Sequence, residues 1–339
     1  MNTANNKVIV ERLTALWALT ECGLGGFLHA FSIPFTAIFV GGVSILLISL
    51  IAFYTDTIWK SIFKALSIVL LIKLSVSPHT PISAYTAVSF QAIAGAVIFS
   101  VFSWKSFGLI LLGVITFLES ALQKLFTLTL IYGETIWDAI NIYGAWVVSK
   151  MSFLPETTSS KLLISTYLIV YTLSGIFVGY FIKQIITLIK NEGEITLSYN
   201  PKQAANNMLS NGGNKKIRRK FFIFWGLTIL LILLPLVLWS STEEGLQKGI
   251  YLISRSILVL GLWYIIVGPF LLKLLKLLLK KNKSNYKQEI ENALDLFPYL
   301  QDIISFSWRE TKLLKGSKRV KHFMAKSILY SIHFKVPLK

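Results

Sequence analysis

Runs of apolar residues, each about twenty residues long, recur along this 339-residue chain. A helix of that length crosses a hydrocarbon core roughly 30 Å thick. Because a backbone in lipid must satisfy its own hydrogen bonds, such runs fold as helices. The sequence therefore predicts an all-α, polytopic membrane bundle of about eight transmembrane helices. They are expected at roughly 9–31, 34–54, 58–76, 82–103, 106–131, 162–188, 220–240 and 248–272.

The composition agrees with a membrane location. Hydrophobic residues make up 54% of the chain and charged residues only 15%, and the mean hydropathy is +0.64. A soluble chain usually carries about a quarter charged residues. The formal net charge of +18 is therefore expected to concentrate in the segments between and after the apolar runs.

Basic residues alternate between successive connections. Lys7 and Arg12 flank the start of the first run, Lys60 and Lys64 follow the second, and Lys105 follows the fourth. The connections after the first and third runs contain neither lysine nor arginine. Since cytoplasmic loops carry an excess of basic residues, the pattern predicts a multi-pass protein of the bacterial inner membrane with both termini in the cytoplasm.

Composition divides the chain into four regions. Residues 1–190 hold six predicted spans, and the polar stretch 191–218 is typical of a flexible cytoplasmic linker. Residues 219–272 form a predicted two-span hairpin, and 273–339 a basic, amphipathic cytoplasmic tail. Between the fifth and sixth spans, residues 134–150 have helical spacing and two tryptophans, which predicts a helix at the membrane interface.

The predicted tail carries fifteen basic residues against five acidic ones. Leu300, Ile303, Ile304 and Trp308 fall on one helical face. Two interpretations stay open: an amphipathic helix attracted to anionic lipid of the inner leaflet, or a docking segment for a cytoplasmic protein. Basic residues beside a last span are usual at the inner face, so nucleic-acid binding is not expected.

Ionisable side chains inside the predicted spans point most strongly to function. Each costs a few kcal/mol at mid-bilayer unless it is paired or faces water. We expect one cavity, open to the outside, to be surrounded by the ionisable side chains of spans one, three and five and of the connection between spans three and four. The predicted substrate-binding residues are Glu21, His29, Lys73, His79, Glu119, Gln123 and Lys124.

Other interpretations of these residues are open. Lys73 and Lys124 can extend to the outer headgroups. Glu21 and Glu119 can pair with lysines merely to hold the bundle together. A haem held by His29 and His79 is conceivable, but no residues around them support it, and the sequence predicts no cofactor.

The first span carries a stripe of small side chains. Thr14, Ala18, Cys22 and Gly26 recur every four residues, and Ala15 widens the stripe. Such a stripe permits close helix–helix approach. It serves either internal packing or docking onto another membrane subunit.

No motif for an enzyme is found in the sequence. A phosphate-cradling GxxxxGK[ST], a zinc-binding HExxH and a nucleophile elbow GxSxG are all missing. Cys22 is the single cysteine, which excludes an intrachain disulfide and a cysteine-based metal cluster. We therefore predict that the protein is not an enzyme, has no metal site, and depends on an external energy source for any transport.

The first 190 residues resemble the substrate-binding S components of energy-coupling factor (ECF) vitamin transporters. The resemblance rests on six spans, on the stripe TALWALTECGLGG, and on the outer segments HAFSIPF and SVSPHTPISAY. It implies that the stripe contacts a transmembrane coupling subunit driven by two cytoplasmic ATPases. It also implies that the substrate-binding set lines a pocket for a vitamin or its precursor, with Trp137 in a lid. The last two spans and the tail have no counterpart in a minimal S component.

The sequence thus predicts a membrane protein that binds and takes up a small polar, vitamin-like solute with energy from a separate ATPase. The main alternative is a non-catalytic structural or assembly subunit of a larger membrane complex. A membrane enzyme of isoprenoid or lipid metabolism is a third hypothesis, weakened by the missing catalytic residues.

Overall fold

The computed structural model describes residues 3–24, 36–77, 80–102, 106–149, 159–191, 243–267, 269–274, 277 and 286–334. Within these ranges the regular secondary structure is helical, with no strand. The helices, numbered here in chain order, are α1 (Thr3–Leu19), α2 (Thr36–Phe53), α3 (Ile58–Val76), α4 (Ile82–Val101), α5 (Ser106–Tyr132), α6 (Thr135–Ser149), α7 (Ser159–Asn191), α8 (Glu243–Leu262), α9 (Lys287–Glu310) and α10 (Gly316–His333). Helix α1 runs on into a π-helical turn, Thr20–Leu24, and α8 into another, Trp263–Val267.

The helix ends follow from local sequence. Helix α3 ends at Val76 shortly before Pro78, and Pro81 directly precedes α4. A proline disfavours helical backbone in the residue before it, so such positions mark boundaries. Helix α5 ends at Tyr132, and the next residue, Gly133, has a φ of 64°, a conformation that glycine adopts without a steric penalty.

In the described part of the chain, three helices are long and apolar enough to cross a membrane: α4, α5 and residues Leu162–Asn191 of α7. The apolar stretch of α2 is shorter, α1 has only 17 residues, and α3 carries three lysines. The eight-span count is therefore not confirmed. The predicted span 220–240 lies outside the described residues.

The surfaces of these long helices are apolar where they are exposed. On α4, Phe90, Ile93, Val97 and Val101 recur every three or four residues with their side chains uncovered. Helix α7 has a similar stripe, from Ile169 to Tyr180. A continuous apolar face of this kind would be unfavourable in water, and it suits contact with lipid.

The chain divides into two compact units. The first comprises Met1–Gln123, Ile164–Pro201 and Leu271–Lys339, and the second Lys124–Leu163 and Lys202–Phe270. In the described part of the second unit lie the last turns of α5, helix α6, the start of α7 and helix α8. Helix α6 confirms that the segment predicted at 134–150 is helical, and on it Tyr143 stacks against Trp146 with ring centroids 5.7 Å apart.

The first unit is built around α1. This helix contacts α2, α3, α9 and α10, and α4 packs against α2 and α3. Its core is aliphatic and aromatic, and the largest fully buried side chains include Trp17, Ile48, Ile72, Phe99 and Phe117. Burying a residue of this size stabilises the fold by roughly 1.5–3 kcal/mol.

The basic tail belongs to the first unit and packs on it. Helices α9 and α10 form a hairpin in which Glu310 accepts hydrogen bonds from Lys326 and Tyr330, each at 2.6 Å. Leu300 and Ile303, assigned by the sequence to an apolar face, are fully buried, whereas Trp308 is exposed and lies under the Arg319 guanidinium. Most of this face is therefore covered by the protein itself and not by lipid or a partner.

One ion pair ties the hairpin to α3. Lys64 Nζ lies 2.8 Å from Glu289 Oε1, and both side chains are partly exposed. Burial raises the pKa of Glu289, but the hydrogen bond from Lys64 and the charges of Lys64 and Lys7 outweigh it, so this pKa lies below its ordinary value.

Candidate functional site

A buried ion pair lies in the interior of the first unit. Lys73 Nζ donates to Glu21 Oε2 at 2.7 Å, and the two residues are only 4% and 5% exposed. Either charge alone would cost several kcal/mol to remove from water, so each stabilises the other in this interior. The structure thus brings together Lys73 of α3 and Glu21 of the turn after α1, which are two of the seven predicted substrate-binding residues.

Two further helices complete the surroundings of the pair. The Ser44 hydroxyl, on α2, donates to Glu21 Oε1 at 2.7 Å. The Lys73 ammonium lies 5.9 Å from the centroid of the Tyr85 ring, on α4. A cation over an aromatic face gains roughly 0.5–2 kcal/mol. Four helices therefore meet at one site of zero net charge.

The backbone at Glu21 is itself unusual. Glu21 lies in the π-helical turn Thr20–Leu24, which inserts one extra residue into the helical repeat. The Thr20 hydroxyl caps the carbonyl of Leu16 at 2.9 Å on the preceding turn. π-turns inside helices occur frequently at functional sites, because the extra residue changes the direction of the following side chains.

The remaining predicted substrate-binding residues lie elsewhere. Glu119 is half-buried on α5, and its Oε2 is buried with no hydrogen-bond partner among the described residues. The Gln123 side chain donates to the Ser83 carbonyl and the Thr86 hydroxyl, both at 3.1 Å, and so joins α5 to the start of α4. Lys124 is exposed and belongs to the second unit. His29 and His79 lie outside the described residues.

The small-residue stripe of α1 is buried in the protein's own interior. Thr14, Ala15, Ala18 and Cys22 are all at most 9% exposed. Their side chains lie on a helix that the other helices of the unit surround. The sequence left two uses of this stripe open, internal packing and docking onto another membrane subunit. In the structure the stripe is packed inside the protein, and the neighbouring helices cover the face that a coupling subunit would contact. Gly26 lies outside the described residues, while Trp137 is half-buried on α6 of the second unit.

The sequence analysis missed one close helix crossing. A Cβ added to Gly175 would lie 2.7 Å from the Gly113 carbonyl oxygen, and one added to Gly179 would lie 2.6 Å from the Ile110 Cα. Helices α5 and α7 thus touch through their backbones. The signal was present, because Gly175 and Gly179 form the GxxxG pattern of closely packed membrane helices.

Two clefts open on the first unit. One, of ≈ 390 Å³, is polar and lies between α1, the α2–α3 turn and α3, with Lys7, Glu11, Asp56 and Lys60 in its lining. The other, of ≈ 500 Å³, is an apolar groove between α2, α7 and α10. Neither lining includes Glu21, Lys73, Glu119 or Gln123, so the ion pair is closed off from both.

Within the described ranges, no group of three or more His, Cys, Asp or Glu side chains could hold a metal ion. Comparisons of the chain with protein-family models, with curated proteins and with solved structures find no match. What the protein does must therefore be argued from its own residues.

Proposed function

We propose that this chain is an integral membrane protein that binds a small polar solute, vitamin-like in size, and takes it up with energy supplied by a separate ATPase. The Glu21–Lys73 pair carries the proposal. A bundle that needed only packing would place apolar residues at this position, because replacing a buried ion pair by well-packed apolar residues is often neutral or stabilising. Two opposite charges kept there would suit a ligand that carries both, and because neither cleft reaches the pair, the surrounding helices would have to part to admit it.

The chemistry of the pair favours a zwitterionic solute. Its carboxylate would take the place of Glu21 beside Lys73, and its ammonium group the place of Lys73 beside Glu21. Because the site is neutral before and after this exchange, no net charge enters the interior, and each buried charge has an opposite charge beside it to offset its desolvation. An anionic solute would instead pair with Lys73 alone and would leave the Glu21 carboxylate without a cationic partner. The Ser44 hydroxyl, already bonded to Glu21, would help to orient the bound ammonium group.

The proposal includes the number of membrane spans and the location of the two termini. Eight spans in the bacterial inner membrane, with both termini cytoplasmic, agree with the basic residues in every even-numbered connection. The three long apolar helices support the membrane location. The related proposal, an S component of an ECF transporter over residues 1–190, requires a coupling subunit and two ATPases. Because the stripe of α1 is buried, that subunit would have to contact another surface or displace the neighbouring helices.

Co-purification tests the proposal. The full chain is purified in mild detergent, and the small molecules released on denaturation are identified by mass spectrometry. We expect a zwitterionic or anionic compound with the wild type and none with the double variant Glu21→Gln with Lys73→Met, which keeps the volume of both side chains. The matched control, Lys64→Met with Glu289→Gln, removes a partly exposed Lys–Glu pair and should retain the compound. An empty wild type, tested further against vitamins and their precursors, would count against solute binding.

A structural or assembly subunit is the second candidate. The observation in its favour is that Glu21 and Lys73 are buried and already pair with each other, so neither charge needs a ligand. The exposed basic residues of the α9–α10 hairpin would then recruit the complex. Detergent pull-down separates the candidates, since stoichiometric recovery with paired ATPases supports uptake and recovery with a large complex lacking ATPases supports assembly.

A further inference from the structure

Three polar side chains on α4 and α5 are left unexplained by the ion pair. Gln91 is 5% exposed and Thr116 is fully buried, and both face the interior of the first unit. Gln91 Oε1, Thr116 Oγ1 and Glu119 Oε2 are buried atoms without a hydrogen-bond partner among the described residues. An unsatisfied buried polar group costs about 1–3 kcal/mol, and a charged one costs more. These three oxygens therefore need partners that the described residues do not supply.

The packing brings the three side chains to one place. The bonds from Gln123 to Ser83 and Thr86 set α4 and α5 antiparallel, which puts Gln91 opposite Thr116. A Cβ built on Gly41 of α2 would lie 3.5 Å from Gln91 Nε2 and 4.0 Å from Thr116 Cγ2, so both side chains flank this glycine.

Glu119 extends the same face of α5. It follows Thr116 by three residues, and side chains at that spacing are neighbours on a helix. A Cβ built on Gly41 would also lie 3.4 Å from the Phe117 ring, so the Gln91 amide nitrogen, the Thr116 methyl group and Phe117 border Gly41. The cluster therefore combines an amide oxygen, a hydroxyl oxygen and a carboxylate, drawn from two helices and bordered by a third.

The oxygen types define the ligand class. All are hard ligands, which suit alkali and alkaline-earth ions and not the transition metals that prefer nitrogen or sulfur. A single carboxylate supplies one negative charge, so a monovalent ion leaves the site neutral, whereas a divalent ion would carry excess positive charge into a low-dielectric interior. We propose that Gln91, Thr116 and Glu119 form a binding site for a monovalent cation. The site stands on the α4–α5 geometry and does not depend on the proposed solute.

Thermal unfolding of the purified full chain tests the site, with Na⁺ as the probe. NaCl is titrated against choline chloride at constant ionic strength, so that screening of surface charges stays the same. A ligand that binds only the folded state raises the free energy of unfolding by RT ln(1 + [L]/Kd), so the unfolding midpoint rises with the logarithm of its concentration above Kd. We expect this rise for the wild type and its loss in Glu119→Gln. Glu134→Gln, which removes an exposed carboxylate after α5, should keep the full rise.

A second pair of variants keeps the test decisive if Glu119→Gln does not fold. Thr116→Ser retains the hydroxyl and should respond to Na⁺, whereas Thr116→Val, of similar volume, should need about ten times more Na⁺ for the same rise. A hydroxyl with a merely structural role would change the midpoint equally with and without Na⁺. Equal midpoints of the wild type in Na⁺ and choline would overturn the proposal, and so would a rise that persists in both Glu119→Gln and Thr116→Val. K⁺ acting like Na⁺ would support it.

Discussion

Removing one charge of the Glu21–Lys73 pair should destabilise the protein strongly. With Nζ and Oε2 2.7 Å apart, two unit charges attract by about 6 kcal/mol at an effective dielectric constant of about 20. Most of this attraction offsets desolvation, so the net value of the pair is small. Glu21→Gln leaves the Lys73 ammonium buried and unpaired, and Lys73→Met leaves the Glu21 carboxylate buried and unpaired. We expect each variant to lower the free energy of unfolding by about 3–5 kcal/mol.

The double variant should recover most of that loss, because no charge is then left in the interior. With single losses of about 3–5 kcal/mol each and a loss of about 1 kcal/mol in the double variant, the coupling energy between the two sites should be about 5 kcal/mol or more. Denaturant-induced unfolding in mixed micelles, followed by tryptophan fluorescence, measures all four proteins of the cycle. The partly exposed Lys64–Glu289 pair is the matched control, and its cycle should give a coupling energy of about 1 kcal/mol or less. Additive losses at Glu21 and Lys73, or single losses as small as those of the control, would refute the reasoning.

Three more predictions follow from the structure. Gly175→Ala should cost about 1–3 kcal/mol by forcing α5 and α7 apart, whereas Gly261→Ala, with nothing within 4 Å, should cost nothing in the same unfolding assay. Since the pKa of Glu289 is lowered, its contact with Lys64 should contribute stability above the ordinary glutamate pKa of about 4.3 and lose it as pH falls through the lowered value. Hydrogen exchange of α9 should therefore be slower in the wild type than in Glu289→Gln at neutral pH, and this difference should disappear at acid pH. Cys22, 9% exposed, should react with a maleimide only after denaturation, and rapid labelling of the native protein would contradict its burial.

Much of the helical architecture could be read from the sequence. The run predicted at 58–76 coincides with α3, and the run predicted at 106–131 ends one residue before α5 does. These boundaries are set by proline, glycine and charge, which act over a few residues. The number of crossings was harder to predict, because apolar length does not separate a span from a buried helix. The lysines of α3 illustrate this, since one of them, Lys73, is neutralised by a carboxylate that is distant in the sequence.

The site was predicted only in part. That Glu21 and Lys73 are polar residues in apolar surroundings was evident, whereas their pairing with each other depends on how α1 and α3 pack. The contributions of Ser44, Tyr85 and Gln91 were missed, because a hydroxyl or an amide inside an apolar run is common and shows its role only through its neighbours. The GxxxG pattern of α7 was a local signal from which the close crossing of α5 and α7 could have been predicted.

Exchanging the two charges tests most directly whether the pair binds a solute or only holds the bundle together. The variant Glu21→Lys with Lys73→Glu keeps an ion pair between the same helices but reverses its direction. We expect this variant to recover most of the stability that Glu21→Gln or Lys73→Met loses, but to bind the co-purified solute at least about ten-fold less tightly than the wild type. Solute binding equal to that of the wild type would contradict the account and leave the pair with a structural role alone.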